Sequence, residues 1–223
     1  MGALAAPSGA SAAIVYNFGF SGSVPVLLNV NTSGGLVVLS TGVNQFTPGI
    51  FNQGWWSADF GNGDTNDNYF VGDNGGPLLN NFFSFDTRAL DGLSVIDAQL
   101  SLDAFDIESP GAGNDYLLFD VSTSAAVLND NDGVSAAIFA DLGSGTSYGS
   151  FFVAEALEFT TIGLSLNAAA IADLQAAADA GEFFSIGGTL DLGSNAVPEP
   201  TSLAIFGLGA LGLAIARRAR RKK

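Results

Sequence analysis

The chain has 223 residues, 48% of them hydrophobic, with 18 Phe and 29 Gly, a length suited to one domain with a substantial core. It has no Cys and no His, which excludes disulfides, thiolate or imidazole metal sites, cysteine nucleophiles and Ser-His-Asp triads. Six of the seven bases lie between Arg217 and Lys223, so residues 1–196 hold one base, Arg88, against 21 acids and carry a formal charge of −20, which repels nucleic acid and anionic lipid and favours divalent cations and basic partners.

Residues 1–13, MGALAAPSGASAA, end like an A-x-A cleavage site but lack the basic start and apolar core of a signal peptide. They read as the remnant of a signal peptide or as a flexible N-terminus, ahead of an ectodomain over residues 14–193. From Ile14 the pattern alternates: Ile14, Tyr16, Phe18 and Phe20 share one face of an expected strand. Val26 to Val30 turns through Asn31 to Gly35 into Leu36 to Leu39, which reads as a hairpin. Thr41 to Asn81 is the least regular region. It holds Trp55 and Trp56 and an Asn/Asp/Gly-rich, turn-forming piece from Gly61 to Gly76. Periodicity returns with Phe83 and Phe85.

The clearest strand places Ile96, Ala98, Leu100, Leu102 and Ala104 on a core face and Asp97, Gln99, Ser101 and Asp103 on a wet one. The phase then slips by one, making Phe105 and Ile107 the apolar positions, as a β-bulge does. Ser109 to Asn114 reads as a loop and Tyr116 to Val121 as a strand. After Asn129 to Gly133 come Ala136 to Leu142, a glycine-serine turn from Gly143 to Ser150, and strands at Phe151 to Ala154 and Phe159 to Leu166. Asn167 can cap a helix over Ala168 to Ala180 that Gly181 ends, with Ile171, Leu174 and Ala178 facing inward. A last strand runs Phe183 to Leu192. The expected fold is mainly β: an antiparallel β-sandwich or jelly-roll-like ectodomain with one short helix, plus a single C-terminal hydrophobic helix.

Asp64, Asn66, Asp67, Asn68 and Asp73 gather oxygen ligands of the kind that calcium takes. No EF-hand is completed, since Tyr69 and Gly75 stand where the motif needs glycine and glutamate; a solvated acidic loop is the plain alternative. Asn129 to Asp132 form a shorter cluster of the same kind. Trp55 and Trp56 beside Asp59 and Asn62 suit a sugar-stacking platform, although neighbours on a strand point to opposite faces and only one could serve. Asp103, Asp106, Glu155 and Glu158 could supply a glycosidase-like carboxylate pair, a weak signal among 21 acids. The expectation is a non-enzymatic protein without a cofactor, calcium being the one ion to consider.

Residues 194–223 differ from all of this. Val197, Pro198, Glu199 and Pro200 are kept extended by the prolines. An uncharged run follows: Leu203, Ala204, Ile205, Phe206, Gly207, Leu208, Gly209, Ala210, Leu211, Gly212, Leu213, Ala214, Ile215 and Ala216. As a helix it spans roughly 21 Å against a hydrocarbon core of about 30 Å, a weak anchor. Arg217, Arg218, Arg220, Arg221, Lys222 and Lys223 would hold the C-terminus inside the cell and the upstream chain outside.

Those parts in that order resemble a PEP-CTERM sorting signal, the tag of exported proteins in many Gram-negative bacteria. The resemblance implies that Pro198, Glu199 and Pro200 are recognised by exosortase, a membrane protease that removes the apolar, basic tail. The stretch from Asp141 onward also resembles the ectodomains that precede such tags, which implies a β-sandwich cargo. An inner-membrane anchor before processing follows from the same likeness, then a place at the outer surface or outside the cell in contact with exopolysaccharide or biofilm. The alternatives are a calcium-assisted carbohydrate-binding module and, third, a glycosidase-like enzyme. An ordinary single-span anchor with a proline spacer is the plainer reading of the tail.

Overall fold

A computed structural model of the protein describes residues 17–20, 24–62, 67–73, 76–108, 113–130 and 133–191. Alternation of apolar and polar side chains drives most of these residues into strands, since one face can be buried while the other stays wet. The strands are β1 (Asn17–Phe20), β2 (Leu27–Thr32), β3 (Gly35–Ser40), β4 (Gln53–Trp56), β5 (Val71–Asp73), β6 (Leu78–Asp86), β7 (Val95–Glu108), β8 (Asn114–Asp120), β9 (Ser147–Val153), β10 (Thr161–Ser165) and β11 (Phe183–Asp191). The helices are α1 (Ala125–Asp130), α2 (Ala136–Leu142) and α3 (Ala168–Ala180), with single 3-10 turns at Arg88–Leu90 and Glu155–Leu157.

Every strand pairing described is antiparallel, and the ladder runs β3-β2-β7-β1-β5-β6-β11-β8-β9, with β10 on β7 and β4 on β6. The mainly β, antiparallel expectation holds. The strands are joined in one continuous ladder, since β1 pairs with both β7 and β5, and β5 carries it on to β6. The expected single helix is corrected, because α1 and α2 join α3. The described residues belong to one compact unit.

The signals that were local in sequence are where they were expected. Asn167 Oδ1 accepts from Ala169 N (3.0 Å) and Ala170 N (3.1 Å), and Gly181 ends α3 at φ 66, where a side chain would be strained. Ala170, Leu174 and Ala178 are its buried stripe, with Ile171 only half-buried. The β2–β3 hairpin closes through Ser33-Gly34, and its register pairs Thr32 with Gly35. On β7 the phase slip is a bulge: Gly19 faces Asp106 and Phe20 faces Ala104, leaving Phe105 as the extra residue. Ala98, Leu100, Leu102, Ala104 and then Ile107 are buried. Phe105 itself is exposed, edge-on to Phe159 with ring centroids 6.0 Å apart, and Ile96, the extra residue where β7 meets Asn31 and Thr32, is exposed as well. Both were expected on the core face.

Other corrections lie where packing overrides pattern. The irregular region contains β4 and β5, Ser147–Ser150 begin β9 rather than form a turn, and Phe159 sits at φ 56 before β10 starts at Thr161. Asn129 and Asp130 close α1. Ile14 to Tyr16, most of the loop from Ser109, Asn131, Asp132 and everything from Leu192 onward lie outside the described residues. The core has two sides around β6. Leu128 of α1 and Leu142 of α2 pack with Trp56 and Phe82 on one face, while Phe83 and Phe85 point the other way and are fully buried. Covering both faces of a sheet is what turns its strand into a continuous apolar and amide run.

Candidate functional site

Trp55 and Trp56 form part of this interior. They are 6% and 5% exposed, so neither presents an open ring to a sugar. Trp56 Nε1 donates to Leu128 O (3.2 Å), and Trp55 stacks on Phe60 with centroids 6.2 Å apart. Of the calcium candidates, Asp64 and Asn66 lie outside the described residues. Asp67 Oδ2 accepts from Phe51 N (2.9 Å), and Asp73 Oδ1 accepts from Gly76 N (3.1 Å). Burial holds the Asp67 carboxyl above its ordinary value against the opposing pull of the Phe51 bond. Asn68, between them, also makes an interaction of its own. Among the described residues no three acids gather closely enough to hold a metal ion. Asp103 of the carboxylate candidates accepts from Thr161 Oγ1 (2.7 Å) across the exposed β7–β10 ladder.

Two open clefts lie beside the start of β11 and share Phe183 as a wall. The first, about 680 Å³, runs between the β3 end, Val38 to Val43, and Asp86, Arg88 and Phe183. The second, about 480 Å³, lies between Phe46, Ser122 to Ala126, Glu182 and Phe183. Phe46 and Phe183 stand 6.0 Å apart at 52°. Their positions follow from buried polar side chains. Asn44 Oδ1 accepts from Phe46 N (2.8 Å) and Thr47 N (2.9 Å), while its Nδ2 reaches Asn129 O (2.9 Å) and ties the Phe46 loop to α1. Thr87 Oγ1 bonds to Ala177 O and Glu182 O, latching the chain before β11 to the end of α3. Sequence reasoning missed this site. Its one local signal is the Asn44-Gln45-Phe46-Thr47 turn chemistry.

Two carboxylates near the clefts, Asp86 and Asp141, are held by neighbouring groups. The Arg88 guanidinium grips the Asp86 carboxylate and holds its pKa below the ordinary value. On α2, Asp141 accepts from Ser122 N (3.3 Å), Ser122 Oγ (2.7 Å), Thr123 N (2.8 Å) and Thr123 Oγ1 (2.6 Å). Burial alone would raise its pKa, but the four bonds outweigh it and leave the carboxyl below its ordinary value. A depressed folded pKa adds stability that is present above the unfolded value and lost as pH falls through the folded one. Thermal unfolding of D141N should therefore show a lower Tm than the unsubstituted chain at neutral pH and a smaller loss of Tm below about pH 4. Equal acid sensitivity of the two proteins would show that Asp141 does not hold the Ser122-Thr123 segment.

The sorting residues Val197 to Pro200, the apolar run and the basic cluster lie outside the described residues, and no helix among the described ones is long and apolar enough to cross a membrane. No curated protein and no solved structure matches the chain. Residues 196–221 do match a family model, the PEP-CTERM protein-sorting motif. With Pro198, Glu199 and Pro200 inside that match, the chain is a β-rich cargo that carries a PEP-CTERM motif, the mark of an exported protein sorted by exosortase.

Proposed function

We propose that this protein is a non-enzymatic component of the cell surface or extracellular matrix, held first at the inner membrane by Leu203 to Ala216 and then cut free by exosortase beside Pro198-Glu199-Pro200. The observation that carries this reading is the sorting motif at residues 196–221 on a domain of formal charge −20. The use of the acids supports the non-enzymatic part. Asp59, Asp67, Asp73, Asp86, Asp120 and Asp141 each spend a carboxylate oxygen on a nearby backbone amide or hydroxyl, fixing loops. Exopolysaccharide is the matrix partner we propose, and neutral polymer fits best because the domain repels anionic chains.

Intact mass of the surface and released protein from a host that makes exosortase tests the reading, together with co-elution from the matrix. The expected mass lacks everything beyond about Pro200, and the protein should leave the matrix when its polysaccharide is digested. Full-length mass confined to the membrane would overturn the processing. Release unaffected by digestion would overturn the polysaccharide role.

The cleft between Phe46 and Ser122 to Ala126 favours a second reading, a carbohydrate-binding module. Aromatic faces flanked by hydroxyls suit sugar rings, and F46A should then lose matrix retention while keeping the fold.

A further inference from the structure

The charge of this chain is distributed unevenly, and one sheet edge sits where it is missing. Residues 1–58 contain no charged side chain; the first is Asp59. That neutral segment includes β1 to β4, and within it β3, with the sequence GLVVLS, ends the strand ladder. Only β2 pairs with β3 among the described strands. A two-residue turn makes Thr32 and Gly35 a hydrogen-bonded pair, so by alternation Leu36, Val38 and Ser40 turn their N–H and C=O groups away from β2. An edge of this kind is a template for another strand.

Natural edges are usually guarded by charge, proline or a bulge. The opposite end of the ladder is guarded: on β9, Gly149 faces Leu118 and Ser147 faces Phe119, which leaves Tyr148 as an extra, bulged residue. β10 is five residues long and follows Glu155 and Glu158 closely. β3 has no such guard. Its register with β2 is unbroken over six pairs, and its outward side chains include Leu36, 63% exposed, and Val38, 51% exposed. Val43, just beyond, is exposed too.

We propose that β3 pairs antiparallel with β3 of a second copy of this chain, about a two-fold axis at Val38. Two properties select a second copy. An antiparallel edge is complementary to itself under a two-fold axis, with the same residues on both sides. Two molecules each carrying −20 in residues 1–196 repel wherever acids meet, and the β3 edge brings together the segments that have none. The charged pair that lines the cleft along Val38 to Val43 is Arg88, the sole base of residues 1–196, with Asp86, and it is neutralised within each copy. The pairing sets Leu36 opposite Ser40 of the second copy and Val38 opposite itself. It is independent of the polysaccharide reading.

The absence of cysteine from the chain gives a test with no background. In an antiparallel hydrogen-bonded pair the two Cα atoms lie about 5.5 Å apart, within disulfide reach. Full-length V38C, oxidised in the membranes of the exporting cell, should form a disulfide dimer as its main product. V127C, exposed on α1, should not. Proline at Leu36 removes an outward N–H, so L36P/V38C should cross-link at least tenfold less. Cross-linking of V38C no greater than that of V127C would overturn the proposal, as would cross-linking indifferent to L36P. A V38C adduct of some other mass would give the edge to a different protein and overturn the second copy. Sedimentation of the unsubstituted full chain in detergent keeps the test independent of cysteine variants. A dimer that V38K dissociates supports the pairing, and a monomer at every concentration ends it.

Discussion

Replacing Pro198, Glu199 and Pro200 together by alanine should leave an uncut, membrane-retained precursor and lower the yield of processed protein at least ~100-fold. The magnitude follows from recognition energetics: three clustered residues worth about 1–2 kcal/mol each supply ~3–6 kcal/mol, and each 1.4 kcal/mol is a factor of ten. The prolines act through the backbone, since each removes an amide donor and keeps the preceding residue extended, ready for a protease cleft. Alanine restores both the amide donors and the helix propensity that proline denies these positions. Glu199 adds the only charge between Asp191 and Arg217. Intact mass of the membrane and surface fractions reads the result. Unchanged processing would remove recognition of the Pro198-Glu199-Pro200 triplet by exosortase from the account and leave the cut to a protease that reads other residues. P198A and P200A alone, with E199Q, apportion the effect: if backbone extension dominates, the proline variants fall further than E199Q.

How far the fold could be read in advance depended on whether its cause was local. The α3 boundaries were legible because Asn167 and Gly181 act on the adjacent backbone, and a cap needs no tertiary partner. The β7 bulge was legible because the change of apolar phase at Ala104 has to be absorbed within the strand. What covers the far face of a strand is not a local fact. Trp55 and Trp56 point to opposite faces as expected, yet both are buried, because α1 and α2 roof one face of β4 and β6. The short segments Ala125–Asp130 and Ala136–Leu142 gain their helical form mainly by packing Leu128 and Leu142 on Phe82. The same blindness hid Asn44, Asn52, Gln53, Asn80 and Asn81. They fall in the region that read as least regular or at its edge, but they are buried and bind backbone groups of neighbouring segments. The Phe46 and Phe183 clefts were illegible for that reason, since 137 positions separate the two rings in the sequence.

The largest stability effect should come from G188A at the centre of the sheet. Gly188 lies on β11 between Asn81 of β6 and Leu118 of β8, and the Tyr116 side chain crosses over it to donate from Oη to Asn81 Oδ1 (2.8 Å). A Cβ there would overlap Asn81 Oδ1 and Tyr116 Oη and lie 2.7 Å from Tyr116 Cε2. Neither side chain can swing aside cheaply. Both are fully buried, and Asn81 Nδ2 is committed to Tyr69 O (3.0 Å). Burial also pushes the Tyr116 hydroxyl up in pKa, so the donor keeps its proton throughout the neutral range. Overpacking and a broken buried hydrogen bond together should cost about 3 kcal/mol, a fall in Tm of ~6–12 °C for a domain of this size. A second variant separates the two causes. Y116A opens the space over Gly188, so G188A added to Y116A should cost much less than G188A alone, a coupling that distant sites do not show. The neighbouring G187A should also destabilise, by a different contact: its Cβ would meet Leu142 O at 2.5 Å and push α2 off the sheet. That damage should be indifferent to Y116A. If G188A stays within ~0.5 kcal/mol of the unsubstituted chain, the range of ordinary surface changes, Tyr116 does not lie over Gly188 and the register of β11 against β6 and β8 is wrong.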